Sequence, residues 1–447
     1  MKIAVIGTGY VGLVTAACLS DLGHEVAAYD NDRSKISRLR DGDIPIYEPG
    51  LAELVSRNVG LSRLSFAENL GPALADADAA FIAVGTPSRT SDGEADLRFV
   101  FQAGAEIAER LLLPCLVICK STVPVGTNRE LLHRFRLHRP SMQIDVASNP
   151  EFLREGSAIS DFMRPDRVVL GTESAQARAT LQAIYEPLGL APSKFLFTGL
   201  ESAELIKYAA NAFLATKLSY INEIADLCES VGANIKDVAA GIGLDQRIGP
   251  KFLQAGPGFG GSCFPKDTRA LLSTARDAGV TLKVVTAVSG VNEERKAAMA
   301  SRIIAAHGGS LDGKTVAVLG MTFKPNTDDM REAPSLSIVP ALQAAGATVR
   351  GHDPEGMDAA SRHLIGVTWA EDAYQAAEGA DGVVILTEWD DYRGLDLVRL
   401  KQLMRGRIFN DLRNLHDPAL VMNAGFEHFG IGVGSIGAGL AAQDAAE

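Results

Sequence analysis

Lys2-Ile3-Ala4-Val5-Ile6-Gly7-Thr8-Gly9-Tyr10-Val11-Gly12 opens the chain, and an apolar helical pattern follows from Leu13 to Leu22. A short apolar strand, a glycine turn and a helix in immediate succession are the first half of a βαβ unit. Gly7 permits the tight turn, Gly9 lets a pyrophosphate approach the backbone, and Gly12 lets helix and strand pack closely. The helix N-terminus that follows offers free N–H groups and a partial positive charge to phosphates. Asp30 ends the next apolar run, where a carboxylate suits ribose hydroxyls and repels a 2′-phosphate, so NAD is expected rather than NADP. Arg33 and Lys35 pull mildly the other way.

Outward from this unit the rhythm repeats. Lys2–Gly7, Glu25–Asp30, Ala79–Gly85, Leu116–Lys120, Ile144–Asn149 and Arg167–Gly171 read as strands. Helical patterns run around Leu13–Leu22, Leu97–Leu111 and Arg129–His133. Buried strands alternating with helices predict an α/β fold with a parallel, doubly wound sheet. The rhythm restarts with Thr315–Gly320, Thr348–Asp353, Gly382–Thr387 and Arg407–Asp411, a second Rossmann-like domain. Its first strand ends in Gly320-Met321-Thr322-Phe323-Lys324-Pro325, which is not a dinucleotide loop. Between the halves, Ala203–Val231 contains neither Pro nor Gly and stops at Gly232. This predicts a long central helix of about 43 Å, with Ser202 as its N-cap; two shorter helices broken near Thr216 are the alternative. The domains expected are 1–198 with the dinucleotide loop, 199–300 as a central helical region whose long helix bridges two domains or packs on a second subunit, and 301–447 as the second Rossmann-like domain. The tail from Gly434 reads as frayed.

The chain of 447 residues carries a formal net charge of −12. It holds no Lys/Arg block able to track a phosphate backbone, so no nucleic acid partner is expected. No stretch reaches the ~18 apolar residues of a membrane span. Ile3–Leu19, ending in Ala16-Ala17-Cys18, superficially resembles an export signal, but its three glycines favour strand, loop and helix. Four of the five cysteines sit in apolar runs and read as small buried side chains; no spacing suggests a metal site. A reducing, cytoplasmic setting is expected.

The segment richest in chemistry is Gly256-Pro257-Gly258-Phe259-Gly260-Gly261-Ser262-Cys263-Phe264-Pro265-Lys266-Asp267. Its glycines read as serving no packing purpose, leaving backbone free to approach a ligand. Cys263 then stands beside Lys266 and ahead of a helical pattern from Asp267, where a nucleophilic thiolate is favoured. A structural Cys in a turn is the bland alternative. Lys207 and Asn211, at i and i+4, share one face of the long helix and suit an oxyanion. Glu151, in Asn149-Pro150-Glu151-Phe152-Leu153-Arg154-Glu155-Gly156, suits proton transfer, although surface carboxylates would look the same. Thr86, in Val84-Gly85-Thr86-Pro87, and Thr122, in Lys120-Ser121-Thr122-Val123-Pro124, follow strand ends, where ligands of open parallel sheets bind.

These pieces together resemble the UDP-glucose and GDP-mannose dehydrogenase family, over about 400 residues and in the family's order. Carrying the resemblance are GTGYVG at 7–12, VGTP at 84–87, STVPVGT at 121–127, NPEFLREG at 149–156, ELIKYAANAFLATKLSYINE at 204–223, GPGFGGSCFPKD at 256–267, FKPNTDDMREAPS at 323–335 and TEWDDY at 387–392. The resemblance implies two Rossmann-like domains joined by a long helix that also forms a homodimer. It implies a four-electron oxidation of a nucleotide sugar, UDP-glucose above all, by two NAD+ in succession. Cys263 would capture the aldehyde and pass through a thioester; Lys207 and Asn211 would stabilise oxyanions; Thr122, Glu151 and Asp267 would orient water and move protons. The cofactor would meet Gly7, Gly9, Tyr10, Val11, Gly12, Asp30, Lys35, Thr86, Thr122, Glu155, Lys266 and Arg331. The sugar nucleotide would meet Glu151, Phe152, Leu153, Lys207, Asn211, Phe252, Gly256, Gly260, Phe264 and Lys324, with Arg247 reaching a neighbouring subunit. His428, Val433 and Leu412 stand where relatives often carry Tyr, Arg and Gly. Oxidation of GDP-mannose or a UDP-N-acetyl-hexosamine stays open, as do a two-electron hydroxyacid dehydrogenase and a non-catalytic NAD-binding regulator.

Overall fold

The computed structural model describes residues 1–87, 89 and 94–433; the tail expected to fray lies outside these residues. They divide into two compact units: Met1–Ala210 with Arg269–Val280, and Asn211–Thr268 with the chain from Thr281 onward.

The first unit holds an eight-stranded sheet: β1 (Lys2–Ile6), β2 (Glu25–Tyr29), β3 (Leu64–Ala67), β4 (Ala79–Ile82), β5 (Leu116–Cys119), β6 (Asp145–Ser148), β7 (Val168–Gly171) and β8 (Phe195–Thr198). Their order in space is β3-β2-β1-β4-β5-β6-β7-β8. The first six follow the dinucleotide-binding order 3-2-1-4-5-6. The all-parallel expectation fails at one place: β7 pairs antiparallel with β6 at Ser148 and Gly171, and β8 runs parallel to β7. Between β6 and β7 lies one short helix, Ala158–Met163. A parallel return needs a full crossover helix, and this connection turns back instead.

In the second unit β9 (Thr315–Leu319), β10 (Thr348–His352), β11 (Thr368–Trp369), β12 (Gly382–Ile385), β13 (Ile408–Asp411) and β14 (Glu427–Gly430) form a sheet ordered β11-β10-β9-β12-β13-β14. Every pair in it is parallel, and the order is again 3-2-1-4-5-6. Central strands are apolar and buried throughout, as in Val383, Val384 and Ile385, because helices cover both faces. Leu412 is fully buried, and His428 stacks on Phe409 with ring centroids 6.3 Å apart.

The long helix runs unbroken from Leu200 to Val231. Ser202 is therefore not its N-cap. The helix begins earlier because Ala203 N–H already bonds to the Gly199 carbonyl, and Ser202 lies in the first turn. At the other end Gly232 adopts φ +75°, and Ala233 N–H returns to the Cys228 carbonyl, a Schellman closure that only an αL residue permits cheaply. No helix among the described residues is long and apolar enough to cross a membrane.

Candidate active site

The glycine turn after β1 is shaped by contact on two sides and open on a third. Gly7 has φ +98°, and a Cβ there would lie 2.7 Å from the Ala83 carbonyl oxygen. A Cβ on Gly12 would lie 1.8 Å from the Gly7 oxygen, so only glycine lets the helix Tyr10–Asp21 start against the turn. Around Gly9 nothing stands within 4 Å, and no side chain caps the helix there. The free N–H groups and the open space fit a pyrophosphate.

Asp30 accepts from Thr8 N at 2.8 Å, Thr8 Oγ1 at 3.0 Å, Asp32 N at 3.0 Å and Lys35 Nζ at 3.1 Å. Burial alone would raise its pKa, but these donors together hold the carboxyl below its ordinary value. It is thus an anion at the end of β2, as ribose recognition requires. Thr86 Oγ1 donates to the Thr122 carbonyl at 2.9 Å, tying the loops after β4 and β5. The Tyr10 hydroxyl bonds to Glu48, which also accepts from Gly156 N at 2.6 Å and Ala158 N at 2.7 Å. This anchors the segment that carries Glu155.

Two clusters of charge follow, one in each unit. In the first, buried Lys207 pairs with buried Glu151 at 3.2 Å, and its ammonium lies 5.2 Å from the Phe152 ring centroid. The other Glu151 oxygen accepts from Leu153 N at 2.5 Å. Nearby, Lys120 Nζ donates to Asn149 Oδ1 at 3.1 Å. In the second unit Asp267 is buried and accepts from Asn211 Nδ2 at 2.6 Å and Lys266 Nζ at 2.7 Å.

Cys263 is the partly exposed cysteine; Cys18, Cys115, Cys119 and Cys228 are buried. Burial pushes the Cys18 and Cys115 thiols up to about 12, the behaviour of inert structural cysteines. Cys263 sits at the head of the helix Phe264–Asp277, its carbonyl receiving Asp267 N–H at 2.8 Å. That helix begins at Phe264, not Asp267, because Pro265 fits a first turn. The Ser262 hydroxyl lies 3.5 Å from Cys263 Sγ.

The expectation that the glycines of the preceding loop serve no packing purpose is overturned. A Cβ on Gly260 would lie 2.3 Å from the Glu332 oxygen, and one on Gly261 2.7 Å from the Phe323 ring. The glycines let this loop press against the strand-end loops of its own unit. Its polar groups are held by residues that sequence reasoning missed. Asn222 Oδ1 accepts from Gly256 N at 2.8 Å, Arg295 Nε donates to the Gly256 carbonyl at 3.1 Å, and Asn292 brackets Phe259 N and O at 2.8 and 3.0 Å. Asn292 gives no signal beyond being an amide inside a helical pattern, and Asn222 lies inside the quoted segment 204–223 without a role being read from it. Phe264 packs edge-on against Phe252 and Phe259, at 6.0 and 5.9 Å between ring centroids.

Arg413 is a further missed cation. Its guanidinium lies 3.1 Å from where a Gly256 Cβ would be, donates to Phe323 O at 3.2 Å and pairs with Glu388 at 3.0 Å. Lys324 Nζ lies 5.3 Å from the Phe323 ring centroid. Arg331 pairs with Asp329 at 2.8 Å and gives its carbonyl to Gly261 N at 2.7 Å. Arg247 is almost fully exposed and pairs with Asp245 at 2.6 Å.

A glycine turn fitted to pyrophosphate, an anionic Asp30 and a cysteine at a helix head define an oxidoreductase of the dinucleotide-binding class. Three models of one family match the chain: the NAD binding domain at residues 1–189, the central domain at 201–294 and the UDP binding domain at 317–418. The chain belongs to the UDP-glucose/GDP-mannose dehydrogenase family, whose members are NAD-dependent. A UDP-glucose 6-dehydrogenase of Rhizobium meliloti is 53% identical over 97% of this chain and 99% of its own length. One from Pseudomonas aeruginosa is 45% identical over 97% of each. Among solved structures, a UDP-glucose dehydrogenase from Pyrobaculum islandicum superposes with a TM-score of 0.88 at 41% identity, covering 97% of this chain and 98% of that one. A UDP-D-ManNAc dehydrogenase from Pyrococcus horikoshii gives 0.85 at 26% identity, covering 98% and 100%.

Proposed function

We propose that the chain oxidises C6 of UDP-glucose from alcohol to carboxylate, consuming two NAD+ and one water per UDP-glucuronate formed. The observation that carries this reading is Cys263 at the head of its helix, in the unit where Asn211 and Lys266 converge on buried Asp267. Bound NAD+ supplies the hydride acceptor. For the first oxidation, Lys207 and Asn211 stabilise the alkoxide as it forms. Cys263 adds to the resulting aldehyde as a thiohemiacetal, which keeps a reactive species covalently bound. Loss of a second hydride leaves a thioester. Thr122, Glu151 and Asp267 orient the water that cleaves it and take up its protons.

Gly7, Gly9, Tyr10, Val11, Gly12, Asp30, Lys35, Thr86, Thr122, Glu155, Lys266 and Arg331 are assigned to the cofactor. Glu151, Phe152, Leu153, Lys207, Asn211, Phe252, Gly256, Gly260, Phe264 and Lys324 are assigned to the sugar nucleotide, and Arg413 adds a third cation beside Arg247 and Lys324 for its phosphates. The division of labour is 1–198 for NAD, 199–300 for dimerisation and 301–447 for UDP-sugar. Phe213, Tyr220 and Leu227, at heptad spacing on the long helix, are 66%, 51% and 54% exposed. Such a stripe suits a homodimer through that helix, with Arg247 serving the neighbouring site. The setting proposed is cytoplasmic.

The deciding measurement is NADH formed per UDP-glucose consumed, in wild type and Cys263→Ser. Two per substrate in wild type, with the mutant stalled, is the expected result. A ratio of one would sink the thioester route. A ratio of two with GDP-mannose or a UDP-hexosamine, and no turnover of UDP-glucose, would keep the route and replace the substrate.

A further inference from the structure

Lys120 is a buried cation that the oxidation scheme leaves without a task. Besides its bond to Asn149 Oδ1, its ammonium lies 5.7 Å from the Phe162 ring centroid and 6.0 Å from that of Tyr185. Asn149 is fixed at both ends: its Oδ1 also receives the Tyr185 hydroxyl, and its Nδ2 donates to Val169 O at 2.9 Å. Two residues beyond Lys120 is Thr122, and two beyond Asn149 is Glu151. A buried lysine is seldom a source of stability, since an apolar side chain of similar shape serves as well or better. Burial of a charge at the ligand-binding edge of a parallel sheet therefore asks for a chemical reason.

We infer that Lys120 is a positioning residue of the oxidation site: it locks Asn149, thereby holds Glu151 opposite Lys207, and gives this buried set an excess positive charge. The inference rests on the functional reading above. The charged and titratable groups facing Lys120 are Glu151 from the loop after β6, Lys207 from the long helix, Cys18 from the first helix and Tyr185 from the helix Ala175–Tyr185, whose phenol burial pushes up and keeps neutral. The Cys18 thiol is pushed up to about 12 and stays neutral. Two lysines against one glutamate give the set a formal excess of one positive charge, which favours an alkoxide developing beside it. Burial, with Lys207 adding to it and Glu151 opposing, pulls the Lys120 ammonium down to about 8. Its charge is present below that pH and lost above it, so kcat falls on the basic side with a midpoint near 8.

The test compares wild type with Lys120→Met and Lys120→Arg, measuring melting temperature and the pH dependence of kcat and KM. Lys120→Met is expected to lower kcat roughly 100-fold with little change in KM, and to lose the basic limb. Lys120→Arg is expected to restore kcat to within about tenfold and to move the limb beyond the measurable range, because a guanidinium does not titrate there. A Lys120→Met enzyme with wild-type kcat and profile would overturn the inference. So would a Lys120→Arg enzyme that keeps a limb near pH 8. Should Lys120→Met fail to fold, Lys120→Arg still decides. A substrate-free readout separates this inference from the functional reading. In protein labelled with carbon-13 at lysine Cε, the resonance missing from Lys120→Arg should titrate near 8 and move lower in Glu151→Gln. No movement in Glu151→Gln overturns the coupling, whatever the substrate proves to be. One NADH per UDP-glucose in wild type would instead overturn the functional reading and leave this titration standing.

Discussion

The two sheets share a strand order and even a turn, yet only one is built to take a dinucleotide. After β1, Gly7 has φ +98°; after β9, Gly320 has φ +89°. Each glycine is followed within two residues by a threonine whose N–H and hydroxyl bond to an aspartate at the end of the neighbouring strand. Thr8 reaches Asp30 at 2.8 and 3.0 Å, and Thr322 reaches Asp353 at 3.0 and 3.1 Å. The difference lies in what the aspartate has left to offer. Asp353 is 0% exposed and also accepts from Met321 N, Glu355 N, Gly356 N and Trp389 Nε1, at 2.6, 3.2, 2.7 and 3.3 Å. Asp30 is 9% exposed, and one of its partners is the partly exposed ammonium of Lys35. One carboxylate is spent on the fold; the other keeps an exposed edge. The second turn also lacks a close helix, since the next one starts only at Ser335.

The hardest blow to this contrast falls on Gly12. A Cβ there would sit 1.8 Å from the Gly7 oxygen, against backbone that cannot swing away. Gly12→Val is expected to raise the KM for NAD+ by about 100-fold or more while the isolated protein keeps its circular dichroism. Wild-type affinity would mean that the first turn is not the cofactor site. Next in size is Asp353→Ala, which orphans several buried donors at once. It should cost about 3–5 kcal/mol in denaturant unfolding and lower the melting temperature, with the NAD+ KM of the surviving folded enzyme unchanged. A cofactor defect without a stability defect would erase the distinction between the two aspartates.

Of the strands among the described residues, ten could be read from the chain, and the four that could not are β3, β8, β11 and β14. These are the edges of the two sheets. Central strands are covered on both faces and so appear as unbroken apolar runs, whereas Phe195–Thr198 and Glu427–Gly430 are mostly half-buried; the first offers only Phe195-Leu196-Phe197 and the second no apolar run at all. The same physics limits the site. Gly12, Asp30 and the Cys263 loop announce themselves because their chemistry is local in sequence. Asn222, Asn292 and Arg295 act by clasping backbone of a loop remote in sequence, and nothing near them in the chain marks that role. Why the glycines of that loop are glycines was likewise misread, since their neighbours Glu332 and Phe323 are brought there only by the fold.

Asp30 supplies the smaller and sharper test. Asp30→Ala should weaken NAD+ by about tenfold, close to 1.4 kcal/mol, and narrow the preference over NADP+ because the repulsion toward a 2′-phosphate is gone. Its stability cost should stay near 1 kcal/mol, well below that of Asp353→Ala, since the site remains open to water. The pH dependence follows from its direction of shift. A carboxyl held below its ordinary pKa by Thr8, Asp32 and Lys35 is ionised in the folded protein throughout the neutral range. Its contribution is complete above the unfolded pKa and is lost only as pH falls through the lower, folded value. Wild-type NAD+ affinity, followed by protein fluorescence quenching, should therefore be flat from about pH 6 to 8 and weaken only in acid, with Asp30→Ala lacking this acid loss. An affinity that fell between pH 6 and 8 in wild type but not in Asp30→Ala would show that Asp30 takes up a proton near neutrality. The donors around it would then be too weak to keep it the anion that separates the first turn from the second.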